Sequence, residues 1–235
     1  MKILYIYPHP DDESYGPANL MSHQRKEGHE VYLLTLTKGG ATKQRHKYGY
    51  SVEEMGEIRY KEMLNVAKVL DLSGMTVLNL PDSGLKEMDP REIEKVIEEE
   101  IKKIKPDVIV TYPVHGISGF HDHLIIHGIV KRVFAESKEK SGYPKRLAFF
   151  TLTEEKAKEQ KMFHLSGSTP DEIDCIIEVS DEDIGINKKA LDCYVTFMDT
   201  IIKSDIKNQI QKSVNFEIFQ EKHEPKLKDL FEKLQ

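Results

Sequence analysis

Pro8-His9-Pro10-Asp11-Asp12-Glu13 packs an imidazole and three carboxylates into six consecutive residues. The run follows directly on Lys2-Ile3-Leu4-Tyr5-Ile6-Tyr7, an apolar, β-branched and aromatic stretch that reads as a buried strand. Ser14 to Lys26 then reads as a loop running into a first helix. A strand-to-helix loop is where open α/β sheets place their chemistry. The two prolines restrict the backbone around His9 and favour an extended, fixed loop over a helix. His9 and Asp12 could hold one metal ion, with Asp11 left as a neighbouring base. An isolated Asp-Asp-Glu is more often a polar surface turn; its position between His-Pro and a buried strand argues for a site.

A second concentration lies far along the chain. Of ten histidines, His115, His121, His123 and His127 fall within thirteen residues, directly after the apolar run Val108-Ile109-Val110-Thr111-Tyr112. Both clusters therefore sit at carboxyl ends of strands and can face each other across one crevice. His123 and His127, at i and i+4, would share a helical face. Two nitrogens and one carboxylate oxygen, with water in a fourth position, is a familiar catalytic zinc arrangement. Such a metal lowers the pKa of its water to roughly 7 and polarises a bound carbonyl. A free carboxylate can take the water's proton, and a second group must protonate the leaving amine.

The first motif resembles the signature of the LmbE-like (PIG-L-like) zinc deacetylases, which remove an N-acetyl group from N-acetylglucosamine-type sugars and sugar conjugates. The resemblance implies His9 and Asp12 as ligands to one Zn2+ per chain. It implies Asp11 as the general base for a metal-bound water attacking the acetamide carbonyl. In the family the third ligand is the last histidine of a His-Pro-Asp-His motif. Gly119-Phe120-His121-Asp122-His123 stands in that place, which aligns His123 as the ligand. Phe120 then replaces the histidine that polarises the carbonyl and protonates the amine, and His121 is expected to take over that role from one position along. The alternative is a metal-binding relative with a different amide substrate, or one whose deacetylase activity is lost through Phe120.

Weaker matches lie between and beyond the two motifs. Arg59-Tyr60-Lys61-Glu62 resembles a family Arg-x-x-Glu helix and makes Arg59 a substrate contact; two such residues can equally form a surface ion pair. Leu80-Pro81-Asp82-Ser83-Gly84-Leu85 resembles the Leu-Pro-Asp-x-x-Leu turn and adds Asp82, though Pro-Asp is also an ordinary turn. Glu13 and Ser118, in the two chemistry-bearing loops, complete the candidate substrate contacts. Lys189-Ala190-Leu191 partly matches a helix that carries His and Gln where this chain has Tyr194 and Phe197. The resemblance spans roughly residues 1–200.

The elements that must position these groups alternate strand and helix. Strands are expected at Glu30–Leu36, Thr76–Leu80, Val108–Tyr112, Arg146–Leu152 and Asp174–Val179. Helices are expected at Gly16–Glu27, Glu53–Leu72 (Ile58, Leu64, Ala67 and Leu70 facing the core), from Pro90 with Asp89 as N-cap, at His121–Lys138 and at Asn187–Lys203. Lys38 to Val52 reads as a lid-like loop. Repeated βαβ units predict an α/β, Rossmann-like three-layer fold with a largely parallel twisted sheet and helices on both faces. The 235 residues suit one domain, with a core over 1–200 and a helical C-terminal extension over 201–235 that packs as a terminal helix or mediates homo-oligomerisation. With 39% hydrophobic and 31% charged residues the composition is that of a chain with a real core. A net charge of −6 argues against nucleic acid as a partner, and the partner that the resemblance implies is a small amino-sugar substrate. The two cysteines form neither a metal spacing nor a disulfide framework. No secretory h-region and no apolar run of roughly 20 residues is present, so a cytoplasmic location without a membrane span is expected.

Overall fold

In the computed structural model, which describes residues 1–160 and 162–234, the apolar run before the first motif forms β1 (Lys2–Tyr7), buried from Ile3 to Tyr7. There follow α1 (Asp12–Tyr15), α2 (Ala18–Lys26), β2 (Glu30–Thr37), α3 (Arg45–Tyr48), α4 (Val52–Val69), β3 (Gly74–Leu80), α5 (Pro90–Ile104), β4 (Val108–Thr111) and α6 (His121–Ser141). The remainder comprises β5 (Arg146–Thr151), α7 (Glu154–Glu159), β6 (Cys175–Glu178), α8 (Asp181–Asp192), α9 (Met198–Ser204), α10 (Ile206–Gln209) and β7 (Ser213–Ile218). The seven strands lie in the order β3-β2-β1-β4-β5-β7-β6. From β3 to β5 every neighbouring pair is parallel, whereas β7 runs antiparallel to both β5 and β6. Helices cover both faces, giving the expected α/β three-layer architecture. The chain leaves β1 for β2 on one side and reaches β4 on the other, so the loops after β1 and β4 open on one crevice at this switch point.

Local chemistry explains most elements. Ser51 and Glu54 form a reciprocal capping box at α4, and Ser180 and Asp183 form another at α8. Asp89 accepts from the Arg91 backbone N–H with Pro90 at the first position of α5, whose Ile93, Ile97, Ile101 and Ile104 form the buried stripe.

Four departures from the expected elements bear on function. The first helix, expected from Gly16, starts at Ala18 and is preceded by a separate turn, α1, that carries Asp12 and Glu13; Gly16 joins the two where an added Cβ would meet Asp12 O at 2.7 Å and the Phe150 ring at 3.2 Å. The inward face of α4 carries Met55, Arg59, Glu62, Met63 and Val66, while Leu64 is exposed; the helix faces a polar crevice as well as the core. The helix expected over Asn187–Lys203 starts earlier, at Asp181, and is interrupted at Tyr194 before α9. The tail is not a helical extension. Ser213–Ile218 buries Val214, Phe216 and Ile218 in strict alternation and inserts as β7 between β5 and β6.

Candidate active site

The loop after β1 turns sharply at Asp11, whose φ of 83° is left-handed, a conformation that Asp tolerates better than most residues. The turn points successive side chains in different directions. Asp12 Oδ2 accepts the His9 backbone N–H (2.8 Å) and its Oδ1 accepts the Tyr112 hydroxyl (2.8 Å). The Asp11 backbone N–H donates to Tyr194 Oη (2.9 Å), and that hydroxyl donates to Glu13 Oε1 (2.6 Å).

Across the crevice, α6 begins at His121 and presents His123 from its first turn. His123 Nδ1 is held by Gly116 O (3.0 Å) and Ser118 Oγ (3.1 Å), and its ring stacks on Tyr112 with centroids 4.2 Å apart. Gly116 is required there: its φ is +62° and an added Cβ would lie 2.9 Å from His123 Cβ. With Nδ1 occupied, Nε2 lies 3.3 Å from Asp12 Oδ1 yet has no hydrogen-bond partner, although the residue is 5% exposed. His9, Asp12 and His123 offer ligand atoms within 4.8 Å of one another. A buried imidazole nitrogen without a partner, beside a carboxylate and a second imidazole, is a donor set that fits a zinc ion.

His9 is braced from behind. Its Nε2 lies 3.0 Å from Asp122 Oδ2 and 3.4 Å from Asp82 Oδ1, which leaves Nδ1 on the Asp12 side. Asp122 also accepts the Ser83 N–H (2.9 Å), and Asp82 accepts the Ala41 N–H (2.6 Å), tying the turn after β3 and the 38–52 loop to the site. A carboxylate behind a ligating histidine orients the ring and raises its basicity. Burial alone would lower the His9 imidazole, but its bond to Asp122 and the charges of Asp12 and Asp82 raise it to about 9. Burial likewise opposes the Asp12 carboxylate, yet the His123 and His9 imidazoles hold it below its usual range.

Asp11 is distinct from the ligand set. Arg59 Nη2 donates to Asp11 Oδ2 (2.7 Å) and to Pro10 O (2.9 Å), while its guanidinium lies 4.8 Å from the Phe197 ring centroid. Burial pushes the Asp11 carboxyl up and the Arg59 charge pulls it back, leaving it at about 6. That suits a group exchanging protons near neutrality.

Most of the expected site residues meet around one cavity of about 770 Å3: His9, Asp11, Asp12, Arg59, Asp82, Ser118 and His123 all line it. Two do not. His121 is exposed and makes no hydrogen bond or ion pair among the described residues, because the 121, 124 and 128 positions of α6 form its outer face while 122, 123, 126 and 127 turn inward. Glu13 is fully buried outside the cavity lining, bound to Ser14 Oγ (2.6 Å) and Tyr194, and burial raises it to about 7. Arg59 and Glu62 are no surface pair either; Glu62 accepts the Thr196 N–H (2.7 Å) and hydroxyl (2.9 Å) inside the protein. The residues missed from sequence are Asp122, Tyr112 and Tyr194. Asp122 had a signal, lying between two histidines, and Tyr112 ends the strand that feeds the second loop. His127 bonds Tyr112 O (3.0 Å), packs against Phe149 and does not line the cavity.

Two imidazoles and a carboxylate converge at the switch point of a Rossmann-like sheet, with a separate carboxylate alongside, and together they offer a donor set of the kind that holds a metal ion in an α/β protein. The chain belongs to the GlcNAc-PI de-N-acetylase (PIG-L) family, whose model matches residues 4–134. It is 32% identical over 139 residues to the probable N-acetyl-alpha-D-glucosaminyl L-malate deacetylase 2 of Bacillus subtilis, covering 58% of this chain and 62% of that one. It is 31% identical over 162 residues to the mycothiol S-conjugate amidase of Streptomyces coelicolor, covering 61% and 55%. The matched stretch thus spans less than two thirds of either relative. Among solved structures, the N,N'-diacetylchitobiose deacetylase of Pyrococcus horikoshii superposes with a TM-score of 0.66 at 19% identity, over 93% of this chain and 83% of that one. The 4-carboxy-2-hydroxymuconate hydratase of Pseudomonas putida reaches 0.70 at 9% identity, over 94% and 97%. The fold therefore extends beyond the family-matched segment, and it is shared by enzymes with different chemistries.

Proposed function

We propose that the chain is a zinc-dependent N-deacetylase acting on an N-acetylglucosamine-type sugar or sugar conjugate, built as one domain with one zinc held by His9, Asp12 and His123. The observation that carries this reading is the buried, partnerless His123 Nε2 facing Asp12, with Asp11 held apart by Arg59. The deacetylase and amidase names of the relatives support the substrate class. A zinc ion at these donors would lower the pKa of a water and polarise an amide carbonyl.

The remaining work falls to the protein's own groups. Asp11 accepts the proton of the attacking water and returns it to the nitrogen as the C–N bond breaks; a carboxyl raised to about 6 can serve in both directions. Arg59 and Tyr194 keep Asp11 in place through its carboxylate and its backbone N–H. Ser118 and Gly116 fix the His123 ring, and Asp122 fixes His9. Phe120, 57% exposed and edge-on to His123, stands at the mouth of the cavity.

Incubation of the zinc-loaded protein with a panel of N-acetylated amino sugars and their conjugates, with free acetate and free amine measured, tests the reading. Stoichiometric release of both is expected; a protein that binds zinc yet releases neither from any member would favour the binding-only alternative. His123→Ala should abolish stoichiometric zinc, and full occupancy in that variant would overturn the ligand assignment.

A further inference from the structure

The catalytic groups occupy one part of the cavity, and its remaining wall has a different character. Phe150, Leu152, Leu165, Ile206, Ile210 and Val214 line it, drawn from the end of β5 and the residue after it, from the loop between α7 and β6, from α10 and the residue after it, and from the start of β7. These residues are buried or half-buried against the core, so the cavity is what their free sides face. The wall begins at the catalytic motif itself, since the space above Gly16 is bounded by Asp12 O on one side and the Phe150 ring on the other.

Polar side chains that reach this part are largely committed to one another. Asn19 Nδ2 donates to Gln211 O (3.0 Å), Gln160 Nε2 to Gln209 Oε1 (3.0 Å) and Gln209 Nε2 to Ser204 O (2.9 Å). Lys156 is paired with Glu159 at 2.7 Å. Arg59 is spent on Asp11. The lining carboxylates, Asp11, Asp12 and Asp82, all belong to the catalytic end. Among the described residues, a conjugate bearing carboxylates would therefore find one uncommitted cation at this cavity, the exposed Lys43, and would have to lay its charge along an apolar surface.

We infer that the substrate is amphipathic: the amide-bearing amino sugar sits at His9, Asp12 and His123, and an alkyl or aryl group carried by it lies along the Phe150–Val214 wall. This rests on the deacetylase reading and deepens it. The apolar group is either the aglycone or an acyl chain longer than acetyl on the nitrogen; the wall's chemistry is the same for both.

The test uses the zinc-loaded protein and methyl, butyl and octyl glycosides of N-acetylglucosamine, the methyl glycoside of N-octanoylglucosamine, and the malyl glycoside of N-acetylglucosamine. If the aglycone occupies the wall, kcat/KM should rise about three- to fourfold for each methylene buried along the glycoside series until the chain outgrows it. If the acyl chain does, the N-octanoyl compound should show the gain and the glycoside series should be flat. Ile210→Asn should reduce the octyl-to-methyl ratio in whichever series shows the gain. Equal rates for all alkyl lengths in both series, or a malyl glycoside that outruns the octyl compounds, would overturn the inference while leaving deacetylation intact. Calorimetric binding of octyl and methyl glucosaminides, the free amines, reads the wall without turnover. Tighter octyl binding with no acetate release from any substrate would remove the deacetylase reading and keep the wall, and equal binding of the two amines together with no gain from the N-octanoyl compound would count against the wall.

Discussion

Two arginines are buried in this protein to nearly the same degree, Arg146 at 1% and Arg59 at 3% exposure, and they do opposite things. Arg146, at the start of β5, donates through Nε and Nη2 to the Glu221 carboxylate (3.0 and 2.7 Å) and through Nη1 to the carbonyls of Leu230 (2.5 Å) and Glu232 (2.9 Å). Each of its nitrogens has a partner, and all the partners lie in the C-terminal segment. Arg59 has one strong partner pair, Asp11 and Pro10 O, a long contact to Gly39 O (3.4 Å), and an Nε with none. Full satisfaction of a buried cation marks a structural clamp. Incomplete satisfaction, beside His123 Nε2 and Asp122 Oδ1 that are also without partners, marks a site shaped for something other than its own stability.

The largest effect expected from separating the two regions is on turnover. Asp11→Asn should lower the deacetylation rate by about 10²–10⁴-fold, keep stoichiometric zinc and leave the urea midpoint no lower than wild type. Near-wild-type turnover would remove Asp11 from its role. Arg146→Met should do the reverse, costing about 3 kcal/mol in urea unfolding while the folded fraction keeps its zinc. That is the low end for breaking a buried pair, because Glu221 retains 27% side-chain exposure. A loss of metal comparable to the loss of stability would show that the two regions are not independent.

The pH dependence sharpens the same contrast. Burial raises the Glu221 carboxyl, but the Arg146 and His223 bonds outweigh it and hold the group below its ordinary range. A depressed carboxylate contributes stability above its unfolded pKa, about 4.3, and that contribution disappears as pH falls through the lower folded value. The stability gap between wild type and Glu221→Gln should therefore be widest near neutrality and close in acid. A gap that persists at the lowest pH where the protein folds would mean the pair acts through packing alone. The smallest expected effect is at His121. His121→Ala should leave zinc content, rate and pH profile unchanged and shift stability by no more than about 0.5 kcal/mol; a lowered rate with zinc retained would restore it as the catalytic acid.

Much of the site could be read locally. His9, Asp11 and Asp12 lie at the end of β1 and the start of α1, and His123 in the first turn of the helix that follows β4, so motif and strand together place them on one crevice. His121 stands clear of the cavity because successive residues are about 100° apart around a helix, and the inward neighbour of His123 is Asp122, the less conspicuous residue. Glu13 leaves the cavity for a similar reason: the left-handed turn at Asp11 sends it inward to Tyr194, which lies 181 residues further on. The tail is a different failure. The alternation of Val214, Phe216 and Ile218 was visible, but the surrounding charged residues suggested a helix.

The parallel half of the sheet, the helices between its strands and the two strand-to-helix junctions that carry the His and Asp groups were legible along the chain alone. Apolar runs, caps and prolines act within a few residues and need no distant partner. The insertion of β7 between β5 and β6, the reach of Tyr194 to the first motif, and the satisfaction of one buried arginine but not the other came from packing. These outcomes depend on which distant groups compete for the same buried donors and acceptors, and that competition is settled only when the chain packs.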